Sequence, residues 1–166
     1  MPILSAFVFL FLLVSGGAIL ALTANLLPTQ VASHFDSAGV ARAFMARSDY
    51  LLFMLAMTIG VPLLIAATTA LLPRLVPVDK LRLPNREYWL APERRDATLA
   101  GLTTSGLGIA SIVAVFLIAL HQLVIAANRQ TPPRLDSTLI WLLVGALLVT
   151  TIAWQFLRWR RFRFPR

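Results

Sequence analysis

From Ile3 to Leu27 not one side chain carries a charge. A helix of that length, rising 1.5 Å per residue, exceeds the roughly 20 residues needed to cross the hydrocarbon core of a bilayer. Three more runs share the property: Tyr50 to Leu72, Leu99 to Ala127 and Thr138 to Leu157. Composition agrees, because 58% of the 166 residues are hydrophobic and only 13% charged, against about 25% charged in an ordinary soluble domain. The reading is an all-α membrane protein, a four-helix transmembrane bundle forming a single membrane domain over residues 1–166. The first run is expected to be a retained helix rather than a cleaved leader. Its start has no Lys or Arg, and Leu22-Thr23-Ala24 puts a large residue where a cleavage site needs a small one. Gly60 and Pro62 predict a kink in the second helix.

The polar segments fall between these runs, at Pro28 to Asp49, Pro73 to Thr98 and Asn128 to Ser137, with a tail after Leu157. Their Lys and Arg counts alternate: two in the first (Arg42, Arg47), six in the second (Arg74, Lys80, Arg82, Arg86, Arg94, Arg95), two in the third (Arg129, Arg134) and five in the tail (Arg158, Arg160, Arg161, Arg163, Arg166). Cations collect on the cytoplasmic side, so both termini are expected inside, with the first and third loops outside. In a bacterium this is the cytoplasmic (inner) membrane. The formal charge of +8 would also fit nucleic acid, but the cations sit between apolar runs. Anionic lipid headgroups are therefore the expected partner of the Arg- and aromatic-rich tail, and nucleic acid is not. With no cysteine, thiolate catalysis, disulfides and Cys-ligated metal centres are excluded.

In the first loop, His34 and Asp36 place an imidazole beside a carboxylate, a pair able to bind metal, respond to pH or brace a turn. The neighbours Ser33, Ser37 and Gly39 favour the braced turn, with partner contact and metal or proton chemistry as alternatives. His121 is the one ionisable side chain deep in a run. It is expected near the outer end of the third helix, where Asn25 and Gln122 could join it beneath the loop. His34, Asp36 and His121 are weak metal candidates, and no cofactor is called for. In the second loop Asn85, Tyr88, Trp89, Glu93 and Arg94 mix interface-seeking aromatics with charge, as a structural docking segment or a partner surface would. Small residues four apart, Gly17 with Ala21, Gly101 with Ser105 and Gly106 with Ala110, mark close helix contacts. Neither paired carboxylates, a phosphate-cradling glycine loop, a paired-His zinc helix nor a nucleophile elbow is found, so no enzyme is read.

The first loop reads Leu27-Pro28-Thr29-Gln30-Val31-Ala32-Ser33-His34-Phe35-Asp36-Ser37-Ala38-Gly39. It resembles the signature of a bacterial family of small membrane proteins of unknown function, in which Leu-Pro ends the first helix before His-Phe-Asp/Asn and a Gly. The likeness runs from about Ala21 to Ile65 and rests on Pro28, His34, Phe35, Asp36 and Gly39. After Gly39 it departs, with Val40-Ala41-Arg42-Ala43-Phe44 where relatives carry a Pro-Asp/Asn-Gly-Trp turn. In the second loop, Pro84-Asn85-Arg86-Glu87-Tyr88-Trp89-Leu90-Ala91-Pro92-Glu93-Arg94 looks like a segment of one branch of the same family. The best-known relatives are immunity and signalling proteins that protect bacilli from their own sporulation-delaying toxin. What the resemblance implies is a non-enzymatic protein that recognises a peptide, lipid or protein partner through an ordered outer loop. An accessory subunit of a larger membrane complex is the alternative that the short loops and small-residue faces allow.

Overall fold

The computed structural model describes residues 2–77, 80–81 and 83–163. Arg82 and Arg166, counted above in the second loop and the tail, lie outside the described residues. In chain order the elements are α1 (Pro2–Thr23), a 3₁₀ turn (Ala24–Leu26), β1 (Gln30–Phe35), β2 (Ala41–Ala46), α2 (Arg47–Leu55), a π-helical turn (Ala56–Gly60), α3 (Val61–Leu75), α4 (Arg86–Trp89), α5 (Pro92–Asn128) and α6 (Ser137–Arg163). Four helical stretches are long and apolar enough to cross a membrane: Ile3–Leu26, Arg47–Leu75, Pro92–Asn128 and Ser137–Arg163.

Local chemistry sets where three of the four stretches begin or bend. Ala91 is extended, as a residue before proline must be, and Pro92 then starts α5 with its φ already helical. At 37 residues α5 is about 56 Å long and overruns a ~30 Å hydrocarbon core. Asp136 starts α6 by accepting from the Thr138 and Leu139 amides at 2.9 and 3.1 Å, the work of an N-cap carboxylate. Between α2 and α3 the helix widens into its π turn just before Pro62, whose ring offers no N–H to the preceding turn. Thr58 in that turn is fully buried against α1, where a Cβ on Gly16 would come within 2.9 Å of its methyl.

Helix α5 is the axis of the molecule, with α1, α3 and α6 all packed on it. Its buried side is lined by small residues, and Ala110 and Ala114 are completely covered. At Gly106 a Cβ would overlap the Thr69 side chain of α3, so those two helices meet at the glycine. Gly108 serves α6 in the same way, since a Cβ there would overlap the Trp154 ring. Gly17 is looser, with only Ile59 in ordinary contact. Much of α6 stays uncovered: Leu139, Trp141, Leu142, Leu148, Val149 and Ile152 are exposed, a face suited to lipid rather than water.

The expectation of an all-α architecture needs correcting at one place. The first loop is a two-stranded antiparallel hairpin, β1 paired with β2. Val31 and Ala32 of β1 are fully buried over the helix ends, Val31 in a cluster with Leu20, Leu27, Tyr50, Met54, Val124 and Ile125. Covering Val31 in this way contributes about 2 kcal/mol.

Candidate functional site

The tip of the hairpin is a closed loop of Ser37-Ala38-Gly39 between Asp36 and Val40. The Asp36 amide donates to Val40 O at 3.0 Å and the Gly39 amide to Asp36 O at 2.9 Å. Gly39 sits at φ +77, the left-handed position that ends such a turn in a bulge. It also lies flush against the third loop: the Leu135 amide donates to Gly39 O at 2.9 Å, and a Cβ on Gly39 would overlap Leu135 O. Glycine is required here twice over.

Asp36 holds the tip together. One carboxylate oxygen accepts from the amides of Ala38 at 3.0 Å and Val40 at 2.9 Å, and the other takes both Nε (2.8 Å) and a terminal nitrogen (2.7 Å) of Arg42. The Val40 amide first, and then the Arg42 guanidinium, hold the carboxyl below its ordinary value of 3.8. Arg42 reaches it through a pair of opposed irregularities in the ladder. Ala32 faces Phe44 and His34 faces Ala43, leaving Ser33 extra on β1, while Phe35 faces Ala41 and leaves Arg42 extra on β2.

His34 is exposed, and its Nδ1 lies 3.1 Å from the neighbouring Ser33 hydroxyl. Phe35 is half-buried and Pro28 exposed. The base of the hairpin is tied by Arg47, whose amide donates to Thr29 O at 3.0 Å and whose guanidinium donates to Leu27 O at 3.2 Å.

The two sheet edges are treated differently. The Arg47 amide bonds Thr29 O across the base, so by the alternation of an antiparallel ladder Val31 and Met45 form the next hydrogen-bonding position. The N–H and C=O groups of Ala32 and Phe44 then point outward from the pair. On the β1 side Asn128 of α5 meets them, accepting from the Ala32 amide at 2.8 Å and donating to Ala32 O at 3.1 Å. On the β2 side no strand lies alongside among the described residues. The third loop reaches only the tip, through a bridge between Val40 and Arg134.

Beneath the hairpin, His121 is fully buried and its ring has a partner on each side. Thr23 Oγ1 donates to Ile19 O at 2.6 Å, which commits its one hydroxyl proton. The 2.9 Å contact with His121 therefore makes Nε2 the donor, and on the other side of the ring Nδ1 lies 3.0 Å from the Tyr50 hydroxyl. His121 thus bridges α1 and α2. This corrects the expected polar set: Asn25 and Gln122 are both exposed, and the partners of His121 are Thr23 and Tyr50 rather than His34 or Asp36. Helix phase explains Gln122, since adjacent residues lie about 100° apart around the axis. Among the described residues no three His, Asp or Glu side chains gather closely enough to hold a metal.

The second-loop residues lie at the other end of the molecule. Asn85, in a left-handed conformation at φ 50, donates its amide to Arg163 O at 2.8 Å, and Trp89 Nε1 donates to Phe162 O at 2.7 Å, so both satisfy carbonyls at the end of α6. Trp89 and Phe162 meet edge to face at 5.4 Å, Arg94 stacks over Tyr88 at 4.2 Å, and Glu93 is exposed in the first turn of α5. The chain matches no protein-family model, no curated protein and no solved structure.

Proposed function

We propose that this is a membrane recognition protein of the toxin-immunity and signalling type, in which the hairpin stands on the outer side and takes up an extended peptide or protein segment as a third strand along β2. The observation that supports this most is the asymmetry of the two edges. Asn128 closes the β1 edge with the two hydrogen bonds that a neighbouring strand would make, whereas the Phe44 main chain offers the same two bonds to an open edge. Main-chain pairing would supply affinity, and the exposed Phe44 and Arg42 side chains beside it would select among sequences. The buried face on Val31 and Ala32 keeps the hairpin ordered before a partner arrives, which lowers the entropy cost of binding. The cation alternation supports an outer position for this end and a cytoplasmic one for the docked second loop and tail.

The test is to pan a library of extended peptides against the full chain in lipid nanodiscs and then bind the selected peptide to Phe44→Pro. Proline there removes the outward N–H without taking a donor from the ladder, so binding should be lost while the hairpin survives. Undiminished binding to Phe44→Pro would reject strand addition. Purification from native membranes in mild detergent decides the accessory-subunit alternative, which requires stoichiometric co-migration with a larger complex.

A further inference from the structure

Two concavities lie in line along the seam between α5 and α6. The first, of about 300 Å³, is lined mainly by apolar side chains, Leu12, Ile112, Phe116, Leu143, Ala146 and Leu147 among them, with Ser111 and Thr150 the two hydroxyl residues in its wall. The second, of about 220 Å³, lies nearer the α6 C-terminus. Its lining carries two charged side chains, Arg158 and Arg161, and both are cations. Arg161 folds onto α5, its guanidinium 3.8 Å from where a Cβ on Gly101 would be, and neither arginine is paired with a carboxylate among the described residues. Trp154 also lines the second concavity, fixed by a 2.9 Å bond from Nε1 to Ser105 O.

We propose that this seam binds one anionic phospholipid, with its phosphate between Arg158 and Arg161 and an acyl chain running past Trp154 into the apolar groove. The spacing fits a lipid. One leaflet of a ~30 Å core is about 15 Å deep, or about ten residues of helix, and ten residues back along α6 from Arg158 is Leu148, within the stretch that lines the groove. Charge fits as well, because planar guanidinium groups bind phosphate through paired hydrogen bonds. The other tail cations among the described residues are engaged differently: Arg160 lies over Phe156 at 5.9 Å and Arg163 over Trp159 at 4.6 Å. This proposal is independent of the hairpin reading.

Native mass spectrometry of the full chain in detergent, with phosphatidylglycerol or phosphatidylcholine added, tests it. The wild type should retain phosphatidylglycerol about tenfold better, the scale set by two cations near a headgroup. Arg158→Gln/Arg161→Gln should erase that preference, while Arg160→Gln/Arg163→Gln, which removes equal charge outside the pocket, should keep it. Ala146→Trp fills the groove without changing charge and should weaken retention of both lipids. Millimolar inorganic phosphate should not displace the lipid. Equal losses from the two arginine pairs would mean a diffuse basic tail and overturn the site, as would undiminished retention by Ala146→Trp in a monodisperse sample.

Discussion

Asn128 and Ala32 exchange two hydrogen bonds, so a side-chain carboxamide at the end of α5 acts as a one-residue neighbouring strand for β1. Asn128 Nδ2 also reaches Val124 O at 2.9 Å, which fixes the side chain to its own helix. The hairpin is thereby registered on the longest and most central helix rather than left on a tether.

Asn128→Ala should strand the buried Ala32 amide, at a cost of about 1–3 kcal/mol. Hydrogen–deuterium exchange in detergent should then show β1 opening while the middle of α5 stays protected. Asn128→Asp keeps the acceptor and should recover part of the protection. If β1 exchange is unchanged in Asn128→Ala, apolar burial of Val31 alone holds the hairpin.

Acid should loosen the tip. The carboxyl of Asp36 is held below its ordinary value, so folding favours the charged form. Its contribution is complete above about pH 3.8 and is lost as pH falls through the lower folded-state value. Amide protection at Ala38 and Val40 should hold steady from neutral pH to about 4 and fall below it. Asp36→Asn should lack this transition, and Arg42→Gln should move it to higher pH. A tip equally acid-sensitive in Asp36→Asn would assign the effect elsewhere.

The glycines of α5 and α6 should separate sharply. Gly106→Leu must displace Thr69, and Gly108→Ala must displace the Trp154 ring, so each should lower the unfolding temperature in detergent, at a cost of about 1–3 kcal/mol for overpacking. Gly145→Ala meets nothing within 4 Å and should be near neutral, as should Leu139→Ala at an exposed position. Equal shifts across the four would remove the contact at Gly106.

What the sequence disclosed and what it hid follow from physical range. Charge-free runs placed the four spans well, because crossing hydrocarbon demands length and apolarity within one segment. The hairpin escaped because β2 is Ala41-Arg42-Ala43-Phe44-Met45-Ala46, where three alanines and a bulge blur the alternation that marks a strand. The Asp36-to-Gly39 turn chemistry was legible. Its engagement with Leu135, nearly 100 residues away, was not. His121 stood out by its type, but its true partners required the packing angles of α1 and α2, which no spacing rule supplies.

The orientation can be read directly, since a chain without cysteine accepts single reporters. Cysteines placed at Ser37 and Gln130 should label from outside intact cells, and one at Asn85 only after permeabilisation. External labelling at Asn85 would reverse the assigned sides and remove the hairpin from contact with outside peptides.

The edge of β2 is tested most directly by the exchange rate of a single amide, Phe44, in the full chain with and without the selected peptide. The account predicts rapid exchange in the free protein and strong slowing on binding, while the Val31 and Met45 ladder amides change little. Protection that appears elsewhere, with Phe44 still exchanging freely, would contradict recognition by strand addition.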